Sequence, residues 1–227
     1  MAAEKNVDFP TLVFPNKPIC IKNNHSNALI SIPEVFNFVS FKHYLLKIIT
    51  GNPGTGKHTI SRMIAKILNL NIVDINEIVI NEGIFEKNQG TFDVDVEKLR
   101  RIVNKRSTKN SLLVGHLAPY VVSAKKVEIA VVLRKSPYKL QYIYKKRKYS
   151  KKKSAENLGG EILGVIYYDT IHAFGRKKTF QIDTTDQSVA SVTKKVESVF
   201  SGRRNEERVD WLQLILKKGD MRRFFSY

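Results

Sequence analysis

The sequence predicts an α/β fold: a five-stranded parallel sheet with helices on both faces. Three observations predict it. Short apolar runs alternate with amphipathic ones from residue 45 to residue 200, the pattern of strands joined by crossover helices. The run 127–133 is almost wholly apolar, as a strand covered on both faces requires. A glycine-rich loop, Gly51-Asn52-Pro53-Gly54-Thr55-Gly56-Lys57, lies between the first apolar run and the first amphipathic one. Glycines there let successive backbone N–H groups turn inward around a phosphate.

The elements follow in order. Residues 45–49 read as a buried strand. Residues 59–68 read as a helix with Ile60, Met63, Ile64 and Ile67 on one face. Gly51, Gly56 and Lys57 match the G-x-x-x-x-G-K spacing of a Walker A loop. The helix N-terminus adds partial positive charge, and Lys57 reaches the outer phosphates. The motif places Ser or Thr after the lysine, where its hydroxyl helps hold Mg²⁺. Here His58 occupies that position and the hydroxyl comes one residue later, at Thr59.

Residues 71–74 form a second strand ending at Asp74, which reads equally as the cap of a helix over 75–81 and as a binding residue. Glu82-Gly83 stops that helix, and 84–92 reads as a polar loop. A further helix starts near Asp95 and runs through Leu99, Ile102 and Val103. Residues 111–114 form the third strand, which leads into Gly115-His116. The fourth, 127–133, ends at Arg134. Ser136-Pro137 then opens a helix with proline in its first turn. The fifth strand, 179–182, is closed by Asp183-Thr184-Thr185, and a helix covers 189–200. Parallel sheets bind ligands at the carboxyl ends of their strands. The glycine loop, Asp74, His116, Arg134 and the segment 183–185 all fall there.

Composition narrows the partners. The chain has 227 residues and a formal net charge of +18, which attracts polyanions. No acid occurs from residue 129 to residue 155. That stretch carries Arg134, Lys135, Lys139, Lys145, Lys146, Arg147, Lys148 and Lys151 to Lys153, with Tyr138, Tyr142, Tyr144 and Tyr149 interleaved. It reads either as a solvated face or as a functional run. In the functional reading, one arginine or lysine closes over transferring phosphates and the surplus serves a nucleic-acid backbone. The single cysteine, Cys20, suits a reducing cytoplasm. No apolar run reaches membrane-spanning length, and no secretory signal is evident. Residues 1–43 hold four of the seven prolines and read as an irregular arm without chemistry. Residues 201–227 read as a polar link, an amphipathic helix packed back on the domain, and an aromatic, arginine-bearing tail.

Taken together, the segments 51–59, 72–74, 114–116, 131–134, 146–149 and 182–185 resemble the archaeal adenylate kinases, relatives of adenylate kinase isoenzyme 6, a nuclear kinase that also acts in small-ribosomal-subunit maturation. The resemblance covers about 45–200. It implies a P-loop NTPase core over 44–200 with two mobile parts, a monophosphate-binding segment at 74–95 and a lid at 146–156. It implies the reaction ATP + AMP = 2 ADP with Mg²⁺, and rRNA or a small-subunit protein as a further partner. A monomer is expected. Gly54, Gly56, Lys57, His58 and Thr59 match the ATP-phosphate positions, and Arg147 matches the lid arginine. His116 matches the histidine of a modified Walker B stretch. On this reading Lys57, Arg147, Arg134 and His116 are catalytic, Asp74 binds the monophosphate and Thr59 meets the metal. Three positions depart from the family: His58 replaces the hydroxyl residue, Val114 stands in place of an acid, and Lys148 replaces the glycine after the lid arginine. The alternative function is an ATP-switched RNA or ribosome-assembly factor with weak or no monophosphate kinase activity.

Overall fold

Five strands form one parallel sheet in the order β2-β5-β1-β6-β7. This is a computed structural model that describes residues 45–88, 91–203 and 207–225. The strands are β1 (Leu46–Gly51), β2 (Asn71–Asp74), β5 (Ser111–Val114), β6 (Val127–Arg134) and β7 (Thr179–Asp183). Two further strands, β3 (Phe85–Asn88) and β4 (Thr91–Val94), pair antiparallel. The helices are α1 (Lys57–Leu68), α2 (Ile75–Asn81), α3 (Val96–Arg106), α4 (Ala118–Val121), α5 (Pro137–Lys146), α6 (Lys151–Ile162), α7 (Val165–Phe174), α8 (Val189–Phe200), α9 (Trp211–Lys218) and α10 (Met221–Phe224).

Local chemistry sets where the helices begin. Asp74 caps α2 by accepting from Asn76 N at 2.9 Å, and Asp95 caps α3 by accepting from Lys98 N at 2.9 Å. Pro137 occupies the first turn of α5, where a missing N–H costs nothing. The Ser150 hydroxyl caps α6 at 3.1 Å from Lys153 N, and Gly219 ends α9 in the left-handed region.

Alternation along the strands builds two cores. Ile48, Leu113 and Ala130 face one side, with Ile75, Ile78, Leu99 and Val103 of α2 and α3. Ile49, Val114, Val131 and Leu133 face the other, with Ile60 and Ile64 of α1 and Val192 and Val196 of α8. Each of the fully buried aliphatic side chains contributes about 1.5–3 kcal/mol relative to exposure. A third cluster joins Leu140 and Tyr144 of α5, Leu158 and Ile162 of α6, Ile215 of α9 and Phe224 of α10.

The structure corrects several expectations. The segment read as a polar loop over 84–92 holds the β3–β4 hairpin, with Phe85 opposite Val94. In α1 the buried face is Lys57, Ile60, Ser61, Ile64 and Ala65, while Met63 and Ile67 are exposed. The buried stripe keeps the i, i+3, i+4 spacing but is centred toward Ser61 and Ala65, small residues that let α1 lie close to the sheet, and this turns Met63 and Ile67 outward. Leu45 is exposed and the first strand begins one residue later. The arm read over 1–43 lies outside the described residues. Among the described residues, no helix is long and apolar enough to cross a membrane.

Candidate active site

The glycine loop leaves β1 at the carboxyl edge of the sheet and enters α1. Gly51 pairs with Leu133 of β6, and a Cβ on it would lie 2.3 Å from the Leu133 carbonyl oxygen. No other residue fits there. Gly54 has φ +84°, and α5 packs so close that its Cβ would lie 3.0 Å from Leu140 Cδ2. Gly56 caps α1 in the left-handed region with no side-chain partner, so the first helical N–H groups are left for an anion.

Lys57 is buried, and its Nζ donates to the Asn52 carbonyl at 2.8 Å. The same carbonyl accepts from the Thr55 hydroxyl at 2.9 Å. The loop is pinned from two neighbours. Tyr144 of α5 donates to Pro53 O at 2.8 Å, and the Thr184 hydroxyl lies 3.1 Å from Thr55 O.

Opposite the loop stand Asp74, His58 and His116. His58 Nδ1 lies 2.8 Å from Asp74 Oδ2, so the residue that replaces the motif's hydroxyl ties α1 to the end of β2. Burial alone would raise the Asp74 carboxyl. The His58 contact, followed by the Asn76 and Glu77 amides, holds it below its usual value. Asp74 therefore both caps α2 and stands at the site. Burial, and then the Lys57 ammonium, push His116 down to about 3, so it is neutral at physiological pH.

Arg147 is exposed at the end of α5, in the turn leading to α6. Lys148 follows with φ +56°, in the left-handed region that glycine enters without strain. Thr59 is exposed on α1, about 200° round the helix from Lys57.

Arg134 departs from expectation. It is 3% exposed, with Nε 2.8 Å from Glu161 Oε1, Nη1 3.0 Å from Gln181 Oε1 and Nη2 2.7 Å from the Glu161 carbonyl. A guanidinium held by a buried carboxylate, an amide and a backbone carbonyl is a framework group. It is not poised over phosphates. Glu161, which sequence reasoning passed over, is the fully buried centre of that framework. Its signal was an acid inside the apolar run Leu158 to Ile166, closely following the acid-free stretch. The basic run divides too. Lys135 Nζ donates to Thr184 O at 2.8 Å and Lys139 pairs with Asp186 at 2.7 Å, while Lys153 lies 3.7 Å over the Tyr149 ring. Lys145, Lys146, Lys151 and Lys152 are exposed.

Comparisons with known proteins agree with this architecture. An AAA domain family model matches residues 48–164. A protein of Thermococcus onnurineus named "Putative adenylate kinase" is 30% identical over 166 residues, covering 72% of this chain and 89% of the relative. One of the same name from Saccharolobus islandicus is 31% identical over 155 residues, covering 67% and 81%. The chain belongs to this adenylate kinase-like P-loop family. Among solved structures, shikimate kinase from Acinetobacter baumannii in complex with shikimate shares the fold. It has a TM-score of 0.52 and 20% identity, covering 73% of this chain and 98% of that one.

Proposed function

We propose that the protein is an adenylate kinase, transferring a phosphoryl group reversibly in ATP + AMP = 2 ADP. The observation that carries this reading is the pairing of two neighbouring features at one sheet edge: a phosphate loop with its lysine, and an acidic and histidine-bearing wall at the ends of β2 and β5. A second nucleotide needs such a wall and an ATPase does not.

In this reading Gly54, Gly56, Lys57, His58 and Thr59 hold the ATP phosphates through backbone N–H groups and the Lys57 ammonium. Arg147, on a lid over 146–156, neutralises charge on the transferring group. Asp74 and the segment 74–95, with α2 and the β3–β4 hairpin, receive the monophosphate. His116 acts as a neutral hydrogen-bonding group beside the phosphates. Arg134 is a positioning residue.

Mg²⁺ takes oxygen donors and keeps several waters. The residue after Lys57 offers a ring whose Nδ1 already faces Asp74. Asp74 Oδ1 already accepts from the Asn76 and Glu77 amides and Oδ2 meets His58, so an ion at this site would be held through phosphate oxygens and water, with no contact assigned to Thr59. When bound, Mg²⁺ supplies charge neutralisation on the phosphates. The core 44–200 is the catalytic domain, in a cytoplasmic monomer. Supplied with ADP and Mg²⁺ alone, the protein is expected to make ATP and AMP in equal amounts, followed by ion-exchange chromatography. ADP that stays unchanged contradicts the reading.

The net charge of +18 favours a second role, binding rRNA or a small-ribosomal-subunit component during assembly. Lys151 and Lys152, exposed at the start of α6, are the cations best placed for a phosphate backbone. Replacing both with Gln is expected to weaken RNA binding and to flatten the log–log salt dependence by roughly 0.7–0.9 per lost phosphate contact, while sparing the kinase rate. An unchanged salt slope in filter binding removes this role.

A further inference from the structure

The kinase reading leaves the C-terminal unit, α9 and α10, without a task. It lies on α5 and α6, the two helices that flank the Arg147 turn, through Ile215, Leu212, Phe224 and Phe225. At the centre of that contact is Glu161 of α6. Trp211, the first residue of α9, donates its indole N–H to Glu161 Oε1 at 3.0 Å. Lys135 N donates to the same oxygen at 3.1 Å, and Arg134 Nε at 2.8 Å. The other oxygen, Oε2, accepts from the Asn52 side-chain amide at 2.6 Å. Asn52 is the second residue of the glycine loop, and its carbonyl holds Lys57 at 2.8 Å.

We propose that Trp211, Glu161 and Asn52 form a positioning relay through which docking of the C-terminal helix sets the phosphate loop for ATP. This rests on the nucleotide-kinase reading above. The chemistry is specific. Trp and Asn offer N–H donors, one to each carboxylate oxygen. A carboxylate buried to 0% exposure must keep its donors or bear the cost of an unmet charge. Asn52 is the link to the loop: its side-chain amide donates to Glu161 while its backbone carbonyl accepts from Lys57, so a residue freed from Glu161 loses one of the contacts that fix the start of the loop. Arg134 Nε and the Lys135 amide hold Glu161 Oε1 beside the Trp211 indole, so loss of the Trp211 donor lets the carboxylate turn about those two contacts and carries Oε2 away from Asn52. A core needs no such pattern, since packing alone would be met by apolar side chains at 52, 161 and 211. Trp211, Glu161 and Asn52 are positioning residues in this account. None of them is assigned a contact with the reacting atoms.

Trp211→Phe keeps an aromatic ring in the pocket and removes the indole N–H. The expected result is a KM for ATP and a dissociation constant for a fluorescent ATP analogue each raised about fivefold, with the monophosphate KM unchanged. Asn52→Ala is expected to give a similar rise, and the double variant no more than either single one, because both cut the same chain. Circular dichroism checks that each variant is folded. A merely structural Trp211 would lower the melting temperature and move both KM values or neither. The relay is overturned if Trp211→Phe binds the analogue as tightly as the wild type, or if the two substitutions act additively. A wild-type protein that binds no analogue overturns the kinase reading and the relay with it. Tight wild-type binding with unaltered variants overturns the relay alone.

Discussion

Lys57→Ala is expected to lower kcat/KM by about 10²–10³-fold while the protein stays folded. The side chain is one of the few cations buried at the loop, and its Nζ bonds only 2.8 Å from a carbonyl of that same loop. A charge-assisted contact to phosphate is roughly twice as strong as a neutral hydrogen bond. Losing it removes transition-state stabilisation that no other loop group supplies. The loss of its bond to Asn52 O should change stability by only about 1 kcal/mol, because that carbonyl keeps the Thr55 hydroxyl. Coupled-enzyme rates and a thermal melt on one preparation test both halves. A variant with near-normal turnover would mean that Lys57 is a structural lysine.

Gly51→Ala is expected to cost roughly 3–5 kcal/mol of stability, enough to threaten folding at physiological temperature. The new Cβ would lie 2.3 Å from the Leu133 carbonyl oxygen, on a backbone at φ +137°. Gly51 and Leu133 are register partners in the β1–β6 pair, so relief requires separating two central strands. Gly56→Ala makes the contrast. Its φ is +97°, but nothing lies within 4 Å of the added carbon. It bears backbone strain alone, about 1–3 kcal/mol. Urea denaturation of the two variants should rank them in that order. Equal midpoints would show that the strand clash relaxes at no cost.

The sheet was legible because each of its strands is a short run with apolar residues and a distinct punctuation: Gly51 at the end of β1, Asp74 at the end of β2, Gly115 just past β5, Arg134 at the end of β6 and Asp183 at the end of β7. Helix starts were legible at Asp74, at Asp95 and at Ser136-Pro137, and not at Ser150, which caps α6 inside the basic run. The β3–β4 hairpin was not, because its strands are four residues each and mix charged with apolar positions. Antiparallel pairing of the two strands stabilises them where local propensity does not. The site followed the same division. Its glycines and Lys57 carry their chemistry in sequence spacing. The His58–Asp74 bond joins residues 16 positions apart, and the Glu161 framework draws on the glycine loop, β6, α6 and α9. No pattern of spacing reports a contact that only tertiary packing makes. Arg134 illustrates the cost of reasoning from position alone. An arginine at a strand's carboxyl end stands near ligands, yet 27 residues later the chain supplies the buried carboxylate that takes it.

The most direct test gives the protein ATP and Mg²⁺ with and without AMP and measures ADP and inorganic phosphate together. The account predicts no ADP above background without AMP, two ADP for each AMP consumed once it is added, no release of phosphate, and no activity in Lys57→Ala. Phosphate released at one rate with or without AMP would contradict it, and would make the protein an ATPase whose second wall receives something other than a nucleotide.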